Sequence, residues 1–357
     1  MCIENSSKRL PSVLPPEVIL NVLDQLVGSP YRQQPIFDAT SAVTKALRAL
    51  TLTSRTMHAV ASKYLYRRCL YLNDCVSYAC LRRTLGIDLG SNHPQSLAYG
   101  QAGRNERLWR DAEVTRHIQS AFISPMKTFS EGSKNAQETP MVRLPQVIDL
   151  CSSIGTTLKR LVLDMVPVYS PHSEVEKVRF PQKDTNIFLG MPTLEELVAS
   201  YDVPDHFRSP PPNIKRLAIT IRDLHDIAMD FCFAVSGLET LIILRPVELS
   251  AADINRFFTA YKGRSLDIIL VDINPYHRTP TGTRDWTDSD TVRIWEADVP
   301  TSFYGDDDNL ILCDNWIWTQ AVQGTLWSQC NRRMACWSEI HQLLTGPIHH
   351  ILNEAWY

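Results

Sequence analysis

Apolar residues between positions 14 and 72 recur with the period of an α-helix. They fall at helical spacing in three groups: Ile19, Leu23 and Leu26; Val43, Leu47 and Leu50; and Met57, Ala61, Tyr64 and Leu65. Pro15 and Pro16 suit a first helical turn, where the amide hydrogen that proline lacks would have no partner. Ser54 is placed to cap the third group. The pattern predicts a cluster of three short helices.

This predicted cluster carries more apolar surface than one stripe per helix requires. Leu14, Leu20 and Leu52 lie outside the main stripes. A segment of about 60 residues also buries too little surface to be comfortably stable alone. We therefore expect one side of the cluster to pack internally and another to contact a second protein or the rest of the chain.

The order of residues in this segment resembles the F-box, especially that of filamentous-fungal proteins. Residues 14–26 read LPPEVILNVLDQL, and residues 47–72 read LRALTLTSRTMHAVASKYLYRRCLYL. The family has a Leu-Pro-x-Glu opening, a Leu-rich helix, a Thr-Ser-Arg turn and a Leu-Tyr-Arg exit. Residues 27–45 depart from it, because they are longer and more polar than the usual connection. They predict a loop, and an insertion in a surface loop costs little free energy.

The F-box resemblance implies a substrate receptor of an SCF-type ubiquitin ligase. Such a receptor docks to a Skp-family adaptor, and through it to a cullin, and holds a protein substrate without catalysing a reaction or using a cofactor. The family's adaptor-binding positions fall on Leu14, Pro15, Val18, Ile19, Leu23, Leu26, Leu47, Leu50, Leu52, Ser54 and Leu65. Internal helix packing is the alternative for each, above all for Leu23, Leu50 and Leu65. Leu14 and Pro15, at the exposed start, are the preferred interface candidates.

Beyond residue 144, short apolar segments recur along the chain. They cover residues 158–163, 194–199, 214–219, 238–243 and 266–271, and their starts are 36, 20, 24 and 28 residues apart. The first four share an apolar-x-x-Leu-x-apolar pattern, and helix candidates at 147–155, 226–237 and 250–263 precede the first, fourth and fifth segments. The pattern resembles a degenerate leucine-rich repeat, without a regular Asn ladder and with one long interval.

A series of strand–helix units predicts parallel strands joined by crossovers. Each unit leaves an apolar face that only its neighbour covers, so the units stack into a curved array with an inner strand face. We expect that face, over about residues 158–274, to bind the protein substrate. An open α/β sheet with no groove is the alternative.

Together these patterns predict a mixed fold, α+β/α-β in class, with three parts. A three-helix F-box-like domain covers residues 12–72, and a linker region of helix and loops covers residues 73–143. An irregular leucine-rich-repeat-like array of parallel strands and helices, the substrate-recognition domain, covers residues 144–357. Within the linker, residues 86–140 give no readable fold, although 106–122 are compatible with a helix and 130–139 with a loop.

Tryptophans concentrate near the C-terminal end of the sequence. Five of the eight lie in the final 42 residues: Trp316, Trp318, Trp327, Trp337 and Trp356. Upstream, residues 293–300 predict a strand, and residues 319–326 predict a short helix. Tryptophan fills cores as well as binding hot spots, and a terminal repeat must shield its outer face. We therefore expect a Trp-rich cap that closes the end of the array.

Composition narrows the class of protein. Lysine and arginine number 36 against 39 acidic residues, so a formal net charge of -3 provides no basic field for nucleic acid. No apolar run reaches the roughly 18 residues of a membrane span, and the N-terminal residues lack the apolar core of a signal peptide. The nine cysteines, odd in number and irregularly spaced, predict free thiols. We expect the cytoplasm, the nucleus or both.

Residues able to carry chemistry form only three weak groups. They are Cys313, Cys330, Cys336 and His341; Asp288, Asp290 and Asp306 to Asp308; and His341, His349 and His350. No close Cys-x-x-Cys pair, phosphate loop or adjacent nucleophile accompanies them in the sequence, so free thiols, solvated turns and structural histidines explain them better. We assign no catalytic, cofactor-binding or metal-binding residue. The alternative functions are a non-ligase interaction scaffold and, less favoured, a metal-dependent enzyme.

Overall fold

The structure is a computed structural model that describes residues 15–28, 35–87, 114–126, 141–171, 186–221, 226–244, 249–272, 280, 282–299, 309–329 and 333–334. Its α-helices are α1 (Pro16–Val27), α2 (Ala42–Thr51), α3 (Arg55–Arg68), α4 (Cys75–Thr84), α5 (Leu144–Ile154), α6 (Val203–His206), α7 (Asp226–Phe233), α8 (Ala251–Ala260), α9 (Asn309–Gln323) and α10 (Leu326–Gln329). Its strands are β1 (Tyr71–Asp74), β2 (Ser120–Met126), β3 (Arg160–Leu163), β4 (Glu196–Ala199), β5 (Arg216–Thr220), β6 (Thr240–Leu244), β7 (Leu266–Asp272), β8 (Val292–Asp298) and β9 (Arg333–Met334).

Helices α1 and α3 begin where the sequence signals predict, whereas α2 begins at Ala42, inside the segment 27–45 that predicts a loop. Helix α1 starts with proline in its first turn, and the Ser41 hydroxyl caps α2 by accepting a hydrogen bond from the Val43 N–H. The Ser54 hydroxyl likewise accepts from the Met57 N–H at 3.2 Å and caps α3. Each cap satisfies an amide that has no partner within its own helix. Three helices are therefore observed in this segment.

The protein is a mixed α/β fold in which the described strands form one sheet. The order of the strands across the sheet follows their order in the chain. Strands β1 to β8 are parallel, and the short β9 pairs antiparallel with β8. The predicted strands at 158–163, 194–199, 214–219, 238–243 and 266–271 are observed as β3 to β7. Helix α5 precedes β3, a 3-10 turn at Ile187–Gly190 lies between β3 and β4, and α6, α7 and α8 lie in the next three connections. The predicted series of parallel strand–helix units is therefore confirmed for this part of the chain.

The two faces of the sheet are covered by different elements. On one side, a row of aligned residues (Leu161, Leu197, Leu217, Leu241 and Ile268) packs with buried residues of α5, α7 and α8 in the main core. The opposite side, which we call the front face, carries Phe122, Val162, Val198, Ala218, Ile242 and Ile269 in a second core. Alternate residues of each strand thus enter opposite cores, as the period of two requires.

Polar side chains join successive units just ahead of their strands. The Thr157 hydroxyl donates to the Ile118 carbonyl at 2.8 Å, and the Thr193 hydroxyl donates to the Leu158 carbonyl at 2.9 Å. The Asn213 side-chain amide donates to the Pro192 carbonyl at 2.8 Å. These three donors occupy equivalent positions ahead of β3, β4 and β5. They satisfy turn carbonyls that the ladder of strand hydrogen bonds does not reach.

The sheet begins earlier than the predicted boundary at residue 144. Strands β1 and β2 lie in or at the edge of the predicted linker region 73–143 and pair in register with the strands that follow. The proposed helix at 106–122 differs as well, because Val114–His117 is a single 3-10 turn and β2 starts at Ser120. Residues 106–113 and 130–139 lie outside the described ranges. No helix in the described part of the chain is long and apolar enough to cross a membrane.

Candidate partner-binding surfaces

The three-helix cluster has a small core of its own. Leu23, Leu47 and Tyr64 are buried together, and residues of all three helices pack around them. The Tyr64 hydroxyl donates a 2.8 Å hydrogen bond to the Asp24 carboxylate, which joins α3 to α1. Burial, reinforced by this bond and by the Asp24 charge, raises the pKa of Tyr64 to about 12. The hydroxyl therefore stays protonated and keeps donating at neutral pH.

Several large apolar side chains of the cluster remain exposed beside this core. Val18 is 42% exposed, Val22 is 60% exposed and Leu52 is 86% exposed. Val18 and Val22 are one helical turn apart and so lie on the same side of α1. Exposed apolar side chains concentrated on one small element mark a contact surface. Val22 is absent from the family-based set of site residues, although its i, i+4 spacing from Val18 was visible in the sequence.

The family-based adaptor positions divide into buried and exposed residues. Leu23 and Leu47 are enclosed in the internal core, as the alternative of internal helix packing expects. The partly buried residues that pack against that core are Ile19, Leu26, Leu50 and Leu65. Pro15, Val18, Leu52 and Ser54 are exposed, and the Ser54 hydroxyl is used as a helix cap. Leu14 lies outside the described residues.

The connection between α1 and α2 is anchored at its end. Ile36 is buried in the second core, and its N–H donates to the Val322 carbonyl of α9 at 2.8 Å. The adjacent Phe37 N–H donates to the Arg68 carbonyl at 2.8 Å. This short segment therefore ties the three-helix cluster to the C-terminal helix. The short apolar pair Ile36 and Phe37, inside a predicted loop, gave no signal for this contact in the sequence.

A row of charged side chains crosses the front face at the start of the strands. Arg160, Glu196 and Arg216 are aligned neighbours on β3, β4 and β5. The Arg160 Nε lies 3.2 Å from Glu196 Oε2, and Arg216 pairs with the other oxygen of the same carboxylate. Burial lowers the pKa of Arg160 from its ordinary value, while the Glu196 charge opposes that effect. One carboxylate thus holds two guanidinium groups in a partly buried row.

The row of charges continues on the later strands. The Arg293 Nε donates to Asp267 Oδ1 at 2.8 Å, and the Trp295 indole N–H donates to the same oxygen at 3.0 Å. Both pairs join β7 to β8, which are aligned at these positions. The front face therefore has a charged edge beside its apolar middle row.

Helices α9 and α10 lie on this front face. Helix α9 lies against β3 and β4, and Ile317, Ala321 and Leu326 are buried in the second core. Trp316, Trp318 and Trp327 pack partly buried against the same core, whereas Trp337 and Trp356 lie outside the described residues. The strand face that the sequence predicts to bind a substrate is therefore covered by helices of the same chain. The described tryptophans of this segment pack on the front face of the sheet.

A buried polar group lies where β2, β3 and β4 end. The Ser124 hydroxyl donates to Asp164 Oδ2 at 2.7 Å, and the Ser200 hydroxyl donates to Asp202 Oδ1 at 2.6 Å. Burial raises the pKa of both Asp164 and Asp202. The His206 Nδ1 lies 2.7 Å from the Asp202 carbonyl oxygen. Asp164 also accepts from the Val166 N–H, so this carboxyl group organises the turn that follows β3.

The three groups of residues able to carry chemistry make few contacts within the described part of the chain. Asp290 accepts hydrogen bonds from the Thr287 N–H and from Arg284, both at 2.7 Å, within a turn. The Cys313 side chain, together with Cys330, Cys336, His341, His349, His350 and Asp306 to Asp308, lies outside what the structure describes. Within the described ranges, no group of three or more His, Cys, Asp or Glu residues could hold a metal ion.

Comparison with known proteins adds no relative to this picture. No protein-family model, curated protein or solved structure matches the chain. The fold defines a mixed α/β protein with a sheet of eight parallel strands behind a three-helix cluster.

Proposed function

We propose that the chain is an F-box-type substrate receptor of an SCF-type ubiquitin ligase. The observation that carries the proposal is the three-helix cluster, which closes around Leu23, Leu47 and Tyr64 and still leaves Val18, Val22 and Leu52 exposed. A cluster needed only as a cap would gain stability by burying those side chains. Their exposure fits a surface that a Skp-family adaptor covers.

The sheet supports the partner-binding half of this proposal. Its strands follow chain order, its leucine row is in register, and Thr157, Thr193 and Asn213 join successive units from equivalent positions. This regularity supports a degenerate leucine-rich-repeat-like array, in which each unit would stack on the last. Arrays of this kind present one extended surface, and we assign substrate binding to it.

The receptor acts by proximity in this proposal. Binding a substrate and an adaptor at the same time raises the effective concentration of the substrate near a charged ubiquitin-conjugating enzyme. The receptor needs no cofactor and no catalytic residue for that task. The compartment would be the cytoplasm or the nucleus, where the ligase machinery is present and thiols stay reduced.

Co-expression with a Skp-family adaptor tests the proposal. Wild type should elute with the adaptor as a one-to-one complex in size-exclusion chromatography. Val22→Glu places a charge on the exposed side of α1 and should abolish the complex, because truncation of a hot-spot residue alone costs about 2–4 kcal/mol, roughly 30- to 1,000-fold in affinity. Val76→Glu is the matched control, because Val76 is a helical valine that is 51% exposed on α4. A folded wild type that never joins the adaptor contradicts the proposal.

A non-ligase interaction scaffold is the second candidate, favoured by one observation. The Ile36 N–H donates to the Val322 carbonyl and Ile36 is buried beneath α9, so the helical cluster is fastened to the rest of the molecule. In a scaffold the cluster would serve as an N-terminal cap of the sheet. Wild type that binds other proteins but no adaptor would favour this candidate.

A further inference from the structure

The front face of the sheet is fitted to hold an α-helix. Ile317 and Ala321, one turn apart on α9, are buried against its apolar middle row. The Arg160 Nη2 donates to the Ala321 carbonyl at 2.8 Å, in the last turn of α9. Carbonyls in a last turn have no partner within the helix, and a cation there complements the helix dipole. The front face thus recognises both the side and the end of this helix.

The segment after α9 adds a second recognition element. Gly324, with φ of 75°, ends the helix in the left-handed region and directs α10 back onto the sheet. There the Trp327 indole N–H donates to Glu196 Oε2 at 3.0 Å, and the Arg216 guanidinium carbon lies 5.7 Å from the centre of the indole ring. Arg160 of the charged row therefore contacts α9, and Glu196 and Arg216 contact Trp327 of α10.

The charged row does not depend on this helix for its pairing. Glu196 contacts both Arg160 and Arg216, so the three charges stay paired when the Trp327 indole leaves. Water can then hydrate the partly buried guanidinium groups. Opening an entirely apolar core would instead expose only apolar side chains to water. Such a row is suited to alternate between covered and open states.

We propose that residues 309–329 are a displaceable cover, and that the front face beneath them binds a partner helix of the same chemistry. The partner is a protein segment with an amphipathic α-helix whose C-terminal carbonyls meet Arg160, followed by an indole that reaches Glu196. This inference deepens the proposed function and rests on it, because the partner would be the ligase substrate. The cover would keep the receptor closed until that substrate displaces it.

Amide hydrogen exchange on the wild-type full chain tests whether the cover opens by itself. Residues 315–329 should exchange by local opening, at least about 100-fold faster than strands β4 to β6, which exchange only through larger unfolding. Equal rates in the two regions would show that α9 and α10 belong to the folding core. That result would overturn the proposal without any variant.

A competition experiment tests whether the face beneath the cover binds a helix. The probe is a fluorescent peptide of residues 309–329, titrated with full-length protein and read by anisotropy. Wild type should bind it weakly, because the attached helix competes at high effective concentration. Ala321→Glu places a charge against the apolar row and should loosen the attached helix, so that the peptide binds at least about 10-fold more tightly. Thr319→Glu, on the exposed side of α9, should behave as wild type.

The outcomes separate this inference from the ligase proposal, since neither experiment contains the adaptor. No gain in peptide affinity for a folded Ala321→Glu protein overturns the inference, as does an equal gain for Thr319→Glu. If Ala321→Glu does not fold, the exchange rates of the wild type decide. Failure to bind the adaptor, by contrast, leaves these readouts unchanged and overturns only the receptor function.

Discussion

Trp327 and Glu196 are 131 positions apart in the chain, and the indole N–H of the first donates a 3.0 Å hydrogen bond to the carboxylate of the second. This bond fixes the C-terminal segment on the front face, next to the Arg160–Glu196–Arg216 row. The strand surface that a repeat array would offer to a partner is therefore already filled by the chain itself.

Trp327→Phe should loosen the C-terminal segment while leaving the sheet intact. Phenylalanine keeps a ring beside Arg216 but loses the hydrogen bond, a loss of about 1 kcal/mol or roughly fivefold in the opening equilibrium. Hydrogen exchange at residues 315–329 should accelerate by that factor. Trp286→Phe is the control, because it removes an indole hydrogen bond to the Ile294 carbonyl in the main core and should leave this exchange unchanged. An equal acceleration in both variants would contradict the assignment.

Leu23→Ala should destabilise the three-helix cluster. Leu23 is fully buried, and truncation of a core leucine typically costs about 2–5 kcal/mol through lost contacts and a residual cavity. Val22→Ala, at the adjacent exposed position, should change the free energy of unfolding by no more than about 0.5 kcal/mol. Urea denaturation followed by circular dichroism measures both. Similar losses in the two variants would show that the sides of α1 are assigned incorrectly.

Thr157→Val should weaken the junction between the turns that precede β2 and β3. The hydroxyl hydrogen is shared between the Thr115 and Ile118 carbonyls, and its loss removes a partly buried hydrogen bond at a cost of about 1 kcal/mol. Thr156→Val is the same substitution at the neighbouring exposed residue and should be nearly neutral. Thermal unfolding of the two variants gives the comparison. A neutral Thr157→Val would remove the proposed role of this bond in the array.

The Asp164→Asn variant should gain stability relative to the wild type as the pH rises. Burial raises the pKa of Asp164 in the folded protein, so folding disfavours its charged form. The free energy of unfolding of the wild type, relative to that of the variant, is then highest below the unfolded pKa of about 3.9. It falls as the pH rises through the raised pKa of the folded protein. Urea unfolding of both proteins between pH 4 and pH 7 tests this. A stability difference that does not vary with pH would contradict it.

Asp290→Asn is the control of opposite sign. Hydrogen bonds from Thr287 lower the pKa of Asp290, so its ionised form stabilises the fold. That stabilisation is present above the unfolded pKa and disappears as the pH falls through the lowered folded value. The variant should therefore lose stability relative to wild type at neutral pH and regain it in acid. The same trend for both variants would mean that a general effect of pH dominates.

The local parts of the fold could be predicted from the sequence, because their signals lie within a few residues. Apolar spacing and the Ser54 cap predict α1 to α3, and the repeated apolar-x-x-Leu-x-apolar pattern predicts β3 to β6. Strands β1 and β2 were not predicted, since a four-residue run and a strand containing Pro125 carry weak signals. Because β2 lies before the predicted domain boundary at residue 144, a deletion of the chain beyond that boundary would remove β3, the partner of β2.

The candidate binding surfaces were harder to predict from the sequence than the helices and strands. The exposure of Val18 and the burial of Leu47 depend on how the helices pack, which apolar spacing alone does not determine. The cover on the front face depends on contacts between distant parts of the chain, such as Ile36 with Val322 and Trp327 with Glu196. The concentration of tryptophans indicated a packed segment but not the surface on which it packs.

Titration of the purified full chain with a purified Skp-family adaptor by calorimetry tests the central claim most directly. The account predicts a one-to-one complex with a dissociation constant below about 1 μM, corresponding to more than roughly 8 kcal/mol of binding free energy. The same titration with Val22→Glu should give no binding heat, while Val76→Glu should match the wild type. A cooperatively folded wild type that gives no binding heat would contradict the receptor function, and the scaffold would then be the better account.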